Sequence, residues 1–366
     1  MTKINKRRII SSVTALAIVL NFGTISALDA YYTQSAQNYD IINCDHVEEL
    51  PDGGQIYYYN IDGVESSFPV PPEGFDPLSA SDEMLETYGF PPRPDEENSS
   101  DYNDWTELMS CYKFTPTPDA GIKVISRNDN EVSTLSASDR LHVTDVAGYG
   151  AESNGTQFFT QAQVDYQQPK VIDAKGNSAN EFFVRFGGLY QNYGRESFIK
   201  TGTKNYGKSD ADAFCEFNNA SGETKEVPLG MNVKSGDNIH IYVSFQKANN
   251  KFNYYIANNT TGAVVLNTIT PPIAGCFDGT CAIWGTGRVH NSEGISGGLY
   301  SLGQCSTVTM KNCKAMINTS NDWTDLNKLN PQRLDIYSIA ADHDQLYSPG
   351  SISNSNCFSL IWLKKD

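Results

Sequence analysis

The sequence predicts an all-β protein, a sandwich of two antiparallel sheets preceded by a short N-terminal arm with one or two small helices. Its 366 residues include 20 Tyr and 17 Phe, and aromatic residues are enriched in strands. Gly, Asn and Ser recur about every ten residues, which is the spacing of turns in a β-sandwich. Residues 238–245 alternate strictly: Ile239, Ile241, Val243 and Phe245 are predicted to face the core, and the His, Tyr and Ser between them to face outward.

Residues 1–27 have the pattern of a secretory signal peptide. A basic start is followed by the apolar run from Ile9 to Phe22 and then by small residues. We therefore expect cleavage after Ala27 or Ala30 and a secreted, extracellular protein without a membrane partner. The alternative, a single membrane anchor, is disfavoured because the apolar run is shorter than the ~20 residues that span a bilayer.

The chain is strongly acidic. Its formal charge is -16, and removing residues 1–30, which carry four Lys or Arg and one Asp, leaves -19. Phosphates would repel such a surface, so the composition excludes nucleic acid as a partner. Acidity keeps a protein soluble, and it suits a protein that works in acid, where protonation relieves the repulsion between carboxylates.

Residues 28–130 are predicted to form a proline-rich arm or pro-segment. Prolines between residues 69 and 77 exclude regular structure there. One helix is predicted from Ser79 to Tyr88, with Ser79 as its N-cap and Gly89 as its stop, and a second from Tyr102 to Ser110. Aromatic residues of the kind that is usually buried, among them Trp105, favour docking of the arm on the main domain over a flexible linker.

Eight Cys, an even number in an exported chain, permit disulfides. Cys276 and Cys281 flank a tight loop and are the best candidate pair. Cys305 with Cys313, and Cys44 with Cys111, are further possibilities. The Cys and His spacings match no metal site, and Asp342-His343-Asp344 is predicted to be a solvated loop, so we expect no metal and no cofactor. We also expect a monomer.

The main domain is predicted to cover residues 140–366, and its central stretch runs from Phe182 to Phe217. This stretch is predicted to form three short strands that carry Lys200 and Glu216, whose charges can meet on one concave sheet face. Aromatic residues accompany them, and such faces in exported sandwiches bind extended peptides or glycans. No nucleophile-elbow or phosphate-loop motif is present.

Short motifs follow one another in a characteristic order from Asp145 to Trp362. They are Asp145-Val146-Ala147-Gly148-Tyr149, Phe182-Phe183-Val184-Arg185-Phe186-Gly187-Gly188, Ile199-Lys200-Thr201-Gly202, Asp212-Ala213-Phe214-Cys215-Glu216-Phe217, Ala282-Ile283-Trp284-Gly285-Thr286-Gly287 and Val308-Thr309-Met310-Lys311-Asn312. In that order they resemble N-W-A-G-Y, A-W-V-G-I-D-G, L-Q-T-G, D-A-W-Y-E-W, A-E-W-I-x-E and V-x-F-x-N of the secreted glutamic peptidases, the eqolisins, and their bacterial relatives. The resemblance implies a concanavalin-A-like β-sandwich with a groove across one bent sheet. It also implies that Lys200 and Glu216 occupy the catalytic region, with Phe183, Phe214, Phe217, Ile283 and Trp284 lining the groove.

The chain departs from the family at the catalytic dyad, a Gln and a Glu in the eqolisins. There the Glu acts as general base on a water, and the Gln stabilises the tetrahedral intermediate. Here Lys200 stands at the Gln position and Ile283 at the Glu position, while Glu216 is kept.

Three interpretations follow from this departure. The first is a catalytically impaired protein that binds polypeptide or glycan in its groove. The second is an acid endopeptidase that uses Glu216 as base with Lys200. The third is a structural surface protein whose groove is closed by its own arm. A plain ion pair between Lys200 and Glu216 is compatible with the first and third.

Overall fold

A computed structural model describes most of the chain from residue 39 onward. The described residues are 39–95, 97, 99–127, 142–143, 146–153, 156–173, 178–190, 195–207, 210–218, 223–270, 279–289, 302–320, 322–337 and 345–363. The predicted signal peptide, Cys276 and the Asp342-His343-Asp344 loop lie outside them. Among the described helices, none combines the length and the apolar character that crossing a membrane requires.

The described chain is dominated by strands, with two α-helices and one 3₁₀ turn. The strands are β1 Tyr39–Asn43, β2 His46–Glu49, β3 Gln55–Ile61, β4 Val64–Val70, β5 Gly121–Arg127, β6 His142–Val143, β7 Val146–Glu152, β8 Phe159–Gln167, β9 Val171–Asp173, β10 Ala179–Tyr190, β11 Arg195–Tyr206, β12 Ala211–Asn218, β13 Thr224–Val233, β14 Asn238–Gln246, β15 Lys251–Asn258, β16 Ala263–Thr270, β17 Cys281–Arg288, β18 Gln304–Cys305, β19 Val308–Ile317, β20 Thr324–Asp325, β21 Gln332–Tyr337, β22 Gln345–Pro349 and β23 Phe358–Trp362. The helices are α1 Asp82–Tyr88 and α2 Ser100–Ser110, and the 3₁₀ turn is Leu326–Leu329.

Two large sheets build the sandwich. The first sheet has the order β1-β5-β13-β12-β11-β10-β17-β7-β21. The second sheet has the order β2-β3-β4-β16-β15-β14-β8-β19-β20. Strands β22 and β23 join β21 of the first sheet to β19 of the second. Every pairing within the two sheets is antiparallel, which confirms the predicted all-β sandwich.

The core lies between the two sheets because each strand turns alternate side chains inward. On β14, Ile239, Ile241, Val243 and Phe245 are buried in the main core as the alternation predicts. Tyr242 points to the other face of the second sheet and joins a separate apolar cluster. The second sheet therefore buries both of its faces.

The segment from residue 39 to 127 contributes to both sheets. It supplies β1 and β5 at one edge of the first sheet and β2, β3 and β4 at one edge of the second. Its helices cover the outer face of the second sheet, where Tyr88, Phe90 and Trp105 pack with Tyr242 and Tyr255. The aromatic residues that suggest docking are thus buried, and this layer covers the second sheet.

Helix α1 begins later than the sequence predicts. Ser81, rather than Ser79, is its N-cap and accepts a hydrogen bond from the Met84 amide, and Gly89 ends it with φ 79°. Ser79 instead belongs to a turn in which its amide donates to the Asp76 carbonyl. Helix α2 begins at Ser100 because the Ser99 side chain accepts from the Tyr102 amide.

Six of the described cysteines hold free thiols: Cys44, Cys111, Cys215, Cys305, Cys313 and Cys357. The pairs Cys44 with Cys111 and Cys305 with Cys313 are therefore not bonded in this structure. Cys305 lies on β18, which pairs with β9 in a two-stranded sheet, whereas Cys313 lies on β19 of the second sheet; both side chains are buried in the main core.

Candidate functional site

The candidate site lies on the outer face of the first sheet, the face turned away from the second sheet. Strand register aligns one residue from each of five neighbouring strands in a single row. The row is Ile283 on β17, Arg185 on β10, Lys200 on β11, Glu216 on β12 and Glu226 on β13. The two central predicted residues, Lys200 and Glu216, are thus direct cross-strand neighbours.

Two lysines and three glutamates form an ion-pair cluster on this face: Lys200, Lys204, Glu181, Glu216 and Glu226. The Lys200 Nζ atom lies 2.6 Å from Glu181 Oε1 and 2.8 Å from Glu216 Oε1. The Lys204 Nζ atom lies 2.7 Å from Glu226 Oε2, 3.4 Å from Glu216 Oε2 and 3.5 Å from Glu181 Oε2. None of the five residues is more than 5% exposed, so solvent screens these contacts poorly.

A glycine between the two lysines allows this arrangement. Lys200 and Lys204 share a face of β11 because side chains alternate along a strand, and Gly202 lies between them on that face. A Cβ atom on Gly202 would lie 1.9 Å from the Phe182 carbonyl oxygen. The strands β10 and β11 therefore approach too closely at this point for any larger residue.

Phenylalanine rings lie beneath the ammonium groups. Lys204 Nζ is 4.2 Å from the ring centre of Phe214, and Lys200 Nζ is 5.2 Å from that of Phe183. Cations attract the negative face of an aromatic ring at such distances. The rings and the carboxylates together stabilise the charged form of both lysines in a buried place.

The pKa of Lys200 has opposing influences. Burial lowers it, but the carboxylates of Glu181 and Glu216 outweigh burial and raise the pKa above its ordinary value. Lys200 therefore stays cationic. Because each oxygen of Glu216 faces an ammonium group, the carboxylate is fixed as an ion-pair acceptor, whereas a general base needs an oxygen directed at a water molecule.

Five of the seven predicted site residues share this face, and two do not. Phe183, Phe214 and Ile283 form an apolar cluster with Val146 next to the ion pairs. Phe217 and Trp284 lie on the opposite face, buried in the main core, so the structure corrects their assignment to the groove. The physical reason is the two-residue period of a strand: a neighbour of Glu216 or Ile283 in sequence must point the other way. Trp284 there donates a hydrogen bond from Nε1 to the Gln163 carbonyl.

Four residues of the candidate site escape the sequence analysis: Glu181, Lys204, Glu226 and Arg185. Glu181 and Lys204 are an even number of residues from Phe183 and Lys200, so strand alternation alone was a signal for them. Glu226 needed the register of β12 with β13, where it lies opposite Glu216.

Arg185 occupies the place between Lys200 and Ile283. It lies opposite both of them, on the strand between theirs, so the two positions are about 10 Å apart at the usual strand spacing. Its guanidinium stacks 4.4 Å from the ring centre of Phe198. The eqolisin motif A-W-V-G-I-D-G has glycine at this position, which leaves room between the residues of the dyad. In this chain the large, positively charged side chain of Arg185 occupies that position.

The described residues contain no group of three or more His, Cys, Asp or Glu side chains placed to hold a metal ion. What the face offers chemically is a fixed array of charges beside an apolar cluster.

Comparison with known proteins identifies the family. Residues 144–361 match the Peptidase A4 family. Among solved structures, the chain is similar to scytalido-glutamic peptidase with a transition state analog inhibitor, at 16% identity over 60% of this chain and 98% of that one, with a TM-score of 0.49. It is also similar to SCP-B, described as a member of the Eqolisin family of peptidases in a complex with the tripeptide Ala-Ile-His, at 16% identity over 60% and 98% of the two chains, with a TM-score of 0.46. A search of curated proteins found no match. Because the family match spans more than half of the sequence, the chain belongs to the Peptidase A4 family.

Proposed function

We propose that this protein is an exported, non-hydrolysing member of the Peptidase A4 family that binds extended polypeptide on the outer face of its first sheet. The observation that carries the proposal is the double ion pair of Glu216, whose two carboxylate oxygens lie 2.8 Å from Lys200 and 3.4 Å from Lys204. Fold alone supplies no chemistry, so family membership does not by itself imply hydrolysis.

The residues at the dyad positions support the loss of catalysis. Ile283, where the eqolisins have Glu, packs in the apolar cluster with Phe183 and Phe214 and has no group that accepts a proton. Lys200 is a cation held by two carboxylates, whereas the eqolisins have a neutral Gln at this position. The competing interpretation, a peptidase in which Glu216 acts as base, requires both ammonium groups to leave that carboxylate.

Polypeptide is favoured over glycan because of how the aromatic rings are used. Sugars bind to proteins largely by stacking on open aromatic faces, as stacking and apolar contact dominate such sites. Phe183, Phe198 and Phe214 each already have a cation within 5.2, 4.4 and 4.2 Å of the ring centre. An extended peptide does not need open rings, because its alternate side chains can enter pockets on the face, and the family acts on peptides.

The test for catalysis is incubation of the purified protein with denatured casein between about pH 2 and 7, with mass spectrometry of the products. We expect no new fragments. Cleavage that disappears in Glu216→Gln would establish the peptidase interpretation instead. The double variant Lys200→Gln with Ile283→Glu puts the family's two residues back in their positions, and adding Arg185→Gly removes the large side chain between them. Because these changes also remove cations from the cluster, their activity is compared only after circular dichroism shows that the variants are folded.

The test for binding is fluorescence anisotropy of a labelled unfolded casein fragment. We expect saturable binding that weakens in Arg185→Ala and Phe198→Ala, which alter side chains that are only half-buried. Leu78→Ala, an exposed apolar residue outside the first sheet, is the matched control and should bind as the unaltered protein does. Equal affinity in all variants would contradict a binding site on this face.

The test for export is N-terminal sequencing of the protein recovered from the culture medium. Cleavage after Ala27 or Ala30 gives mature chains that begin at Leu28 or Tyr31. Recovery only in the membrane fraction, with residues 1–27 retained, would favour the anchor interpretation.

A further inference from the structure

Two cysteines meet where the last strand joins the second sheet. Strand β23 pairs antiparallel with the start of β19, so that Met310 lies opposite Phe358. Just beyond this pairing, Asn312 adopts a left-handed conformation with φ 50°, and the Cys313 amide donates a 3.0 Å hydrogen bond to the Asn356 carbonyl. The Asn356 carbonyl that accepts this bond belongs to the same peptide group as the backbone nitrogen of Cys357.

A tight turn holds Cys357 at this point. Ser353 and Cys357 exchange backbone hydrogen bonds of 2.7 and 2.9 Å around Asn354 and Ser355, which have φ of 48° and 68°. Asn356 also donates from Nδ2 to Asp325 Oδ1 at 2.9 Å. The turn is thus anchored to two neighbouring elements, and its position beside β19 does not depend on the thiols.

The backbone geometry suits a disulfide. Residues joined by a backbone hydrogen bond across antiparallel strands have Cα atoms about 5.5 Å apart, and the Cα atoms of disulfides are usually about 4.4 to 6.8 Å apart. Cys313 donates the hydrogen bond to Asn356, and Cys357 is the next residue after that acceptor and directly precedes β23. Burial raises the pKa of Cys313, and the nearby thiol of Cys357 raises it further.

We propose that Cys313 and Cys357 form a disulfide in the exported protein, fastening the last strand to β19. Cys357 is half-buried and Cys313 is fully buried, so Cys357 reacts first with a small disulfide of the glutathione type. The Cys357 thiolate attacks one sulfur and expels one glutathione thiol. The Cys313 thiolate then attacks the mixed disulfide and expels the second. The two cysteines lose two protons and two electrons in total, and these reduce one oxidised glutathione to two thiols.

This pairing differs from the one that chain spacing suggests. Cys305 is only eight positions before Cys313 in the sequence, but it lies on β18 close to Tyr347. The Cys313–Cys357 bond closes a much longer loop, and a longer closed loop restricts the unfolded chain more. The proposal is independent of whether the outer face of the first sheet binds polypeptide.

Peptide mapping tests the proposal directly. The folded protein is equilibrated with oxidised glutathione, its remaining thiols are alkylated, and it is digested with trypsin without reduction. Cleavage after Lys311, Lys314, Arg333 and Lys364 gives the peptides 312–314 and 334–364. We expect these two peptides to be joined, with a mass two hydrogens below their sum. A link between 289–311 and 312–314 would mean that Cys305 is the partner, and alkylation of both cysteines would mean that no bond forms; either result overturns the proposal.

Two variants and a thermal measurement serve as controls. Cys305→Ala should keep the link between 312–314 and 334–364, whereas Cys357→Ala should abolish it and leave Cys313 unlinked. Oxidation should raise the midpoint of thermal unfolding by roughly 5 to 10 °C in the unaltered protein and not in Cys357→Ala. An equal shift in both proteins would attribute the stabilisation to another pair.

Discussion

The Nζ atom of Lys200 lies 2.8 Å from Oε1 of Glu216 in a place where neither residue is more than 5% exposed. This contact joins β11 to β12 on the outer face of the first sheet. It gives the Glu216 carboxylate an ammonium partner on the adjacent strand. Buried ion pairs are costly to break because the remaining charge has no water to solvate it.

Removing Lys200 should be more harmful than neutralising Glu216. The cluster has three carboxylates and two ammonium groups, so Lys200→Met leaves three negative charges with one cation and should lower the free energy of unfolding by about 3 to 5 kcal/mol. Glu216→Gln leaves equal numbers and keeps a hydrogen-bonding side chain, so we expect about 1 to 3 kcal/mol. Urea unfolding at neutral pH measures both. Lys251→Met, at an exposed lysine, is the control, and the reverse order of the two cluster variants would contradict the charge balance.

Gly202→Ala should destabilise the protein although it adds one methyl group. The added Cβ would lie 1.9 Å from the Phe182 carbonyl oxygen, so β10 and β11 must move apart, and we expect a loss of about 3 kcal/mol. Gly150→Ala on β7 is the matched control because its Cβ would have ordinary contacts at 3.5 Å. Denaturant unfolding of the two variants measures the loss of stability in each. Similar stability in both would mean that the strands can separate freely at Gly202.

Asp165 should link stability to acid pH. Its Oδ1 lies 2.6 Å from His240 Nδ1, and its Oδ2 accepts from Asn312. Burial raises the pKa of Asp165, but His240 and Asn312 outweigh burial and hold it below the ordinary 3.8. A lowered pKa stabilises the folded state above pH 3.8, and this contribution is lost as the pH falls through the folded value.

We therefore expect Asp165→Asn to be less stable than the unaltered protein by about 2 kcal/mol or more at pH 7. The difference should shrink below pH 3.8. Urea unfolding at several pH values between neutral and strongly acidic checks this. Asp322→Asn, at an exposed position, should show no such dependence, and a difference that persists unchanged in acid would refute the assigned role of Asp165.

Trp105→Ala should destabilise the sandwich and not only the helical layer. Trp105 is buried between α2 and the second sheet and donates from Nε1 to the Pro91 carbonyl. Its segment also supplies strands to both sheets, so we expect a loss of about 3 to 5 kcal/mol in one cooperative transition. Far-ultraviolet circular dichroism during unfolding measures the loss of stability, because its signal does not depend on the deleted tryptophan. Glu107→Ala, at an exposed position, is the control. A separate early transition for the helices would show that the layer detaches by itself.

Some residues of this site could be predicted from the sequence and others could not. Lys200 and Glu216 could be placed on one face from the strands predicted between Phe182 and Phe217, and the alternation of β14 could be read directly. Phe217 and Trp284 were assigned to the groove from their motifs, although each lies next to a groove-facing residue and must point into the core. Arg185 lies two residues from Phe183, so alternation was a signal for it as for Glu181. Glu226 could not be predicted, because nothing local in the sequence says which residue of a neighbouring strand will lie opposite Glu216.

The sequence by itself determines where strands, turns and helix caps form, because alternating side chains, glycines and capping serines act within a few residues. It also determines that the side chain of Ile283 cannot accept a proton. Only the tertiary structure decides that Glu216 meets two lysines, because that depends on the register of β11 with β12 and on the close approach of β10 and β11 at Gly202. The same holds for Cys313 and Cys357, which are 44 positions apart and become neighbours only when β23 pairs with β19. Contacts between distant segments follow from how whole strands align to bury the core, and no short stretch of sequence contains that information.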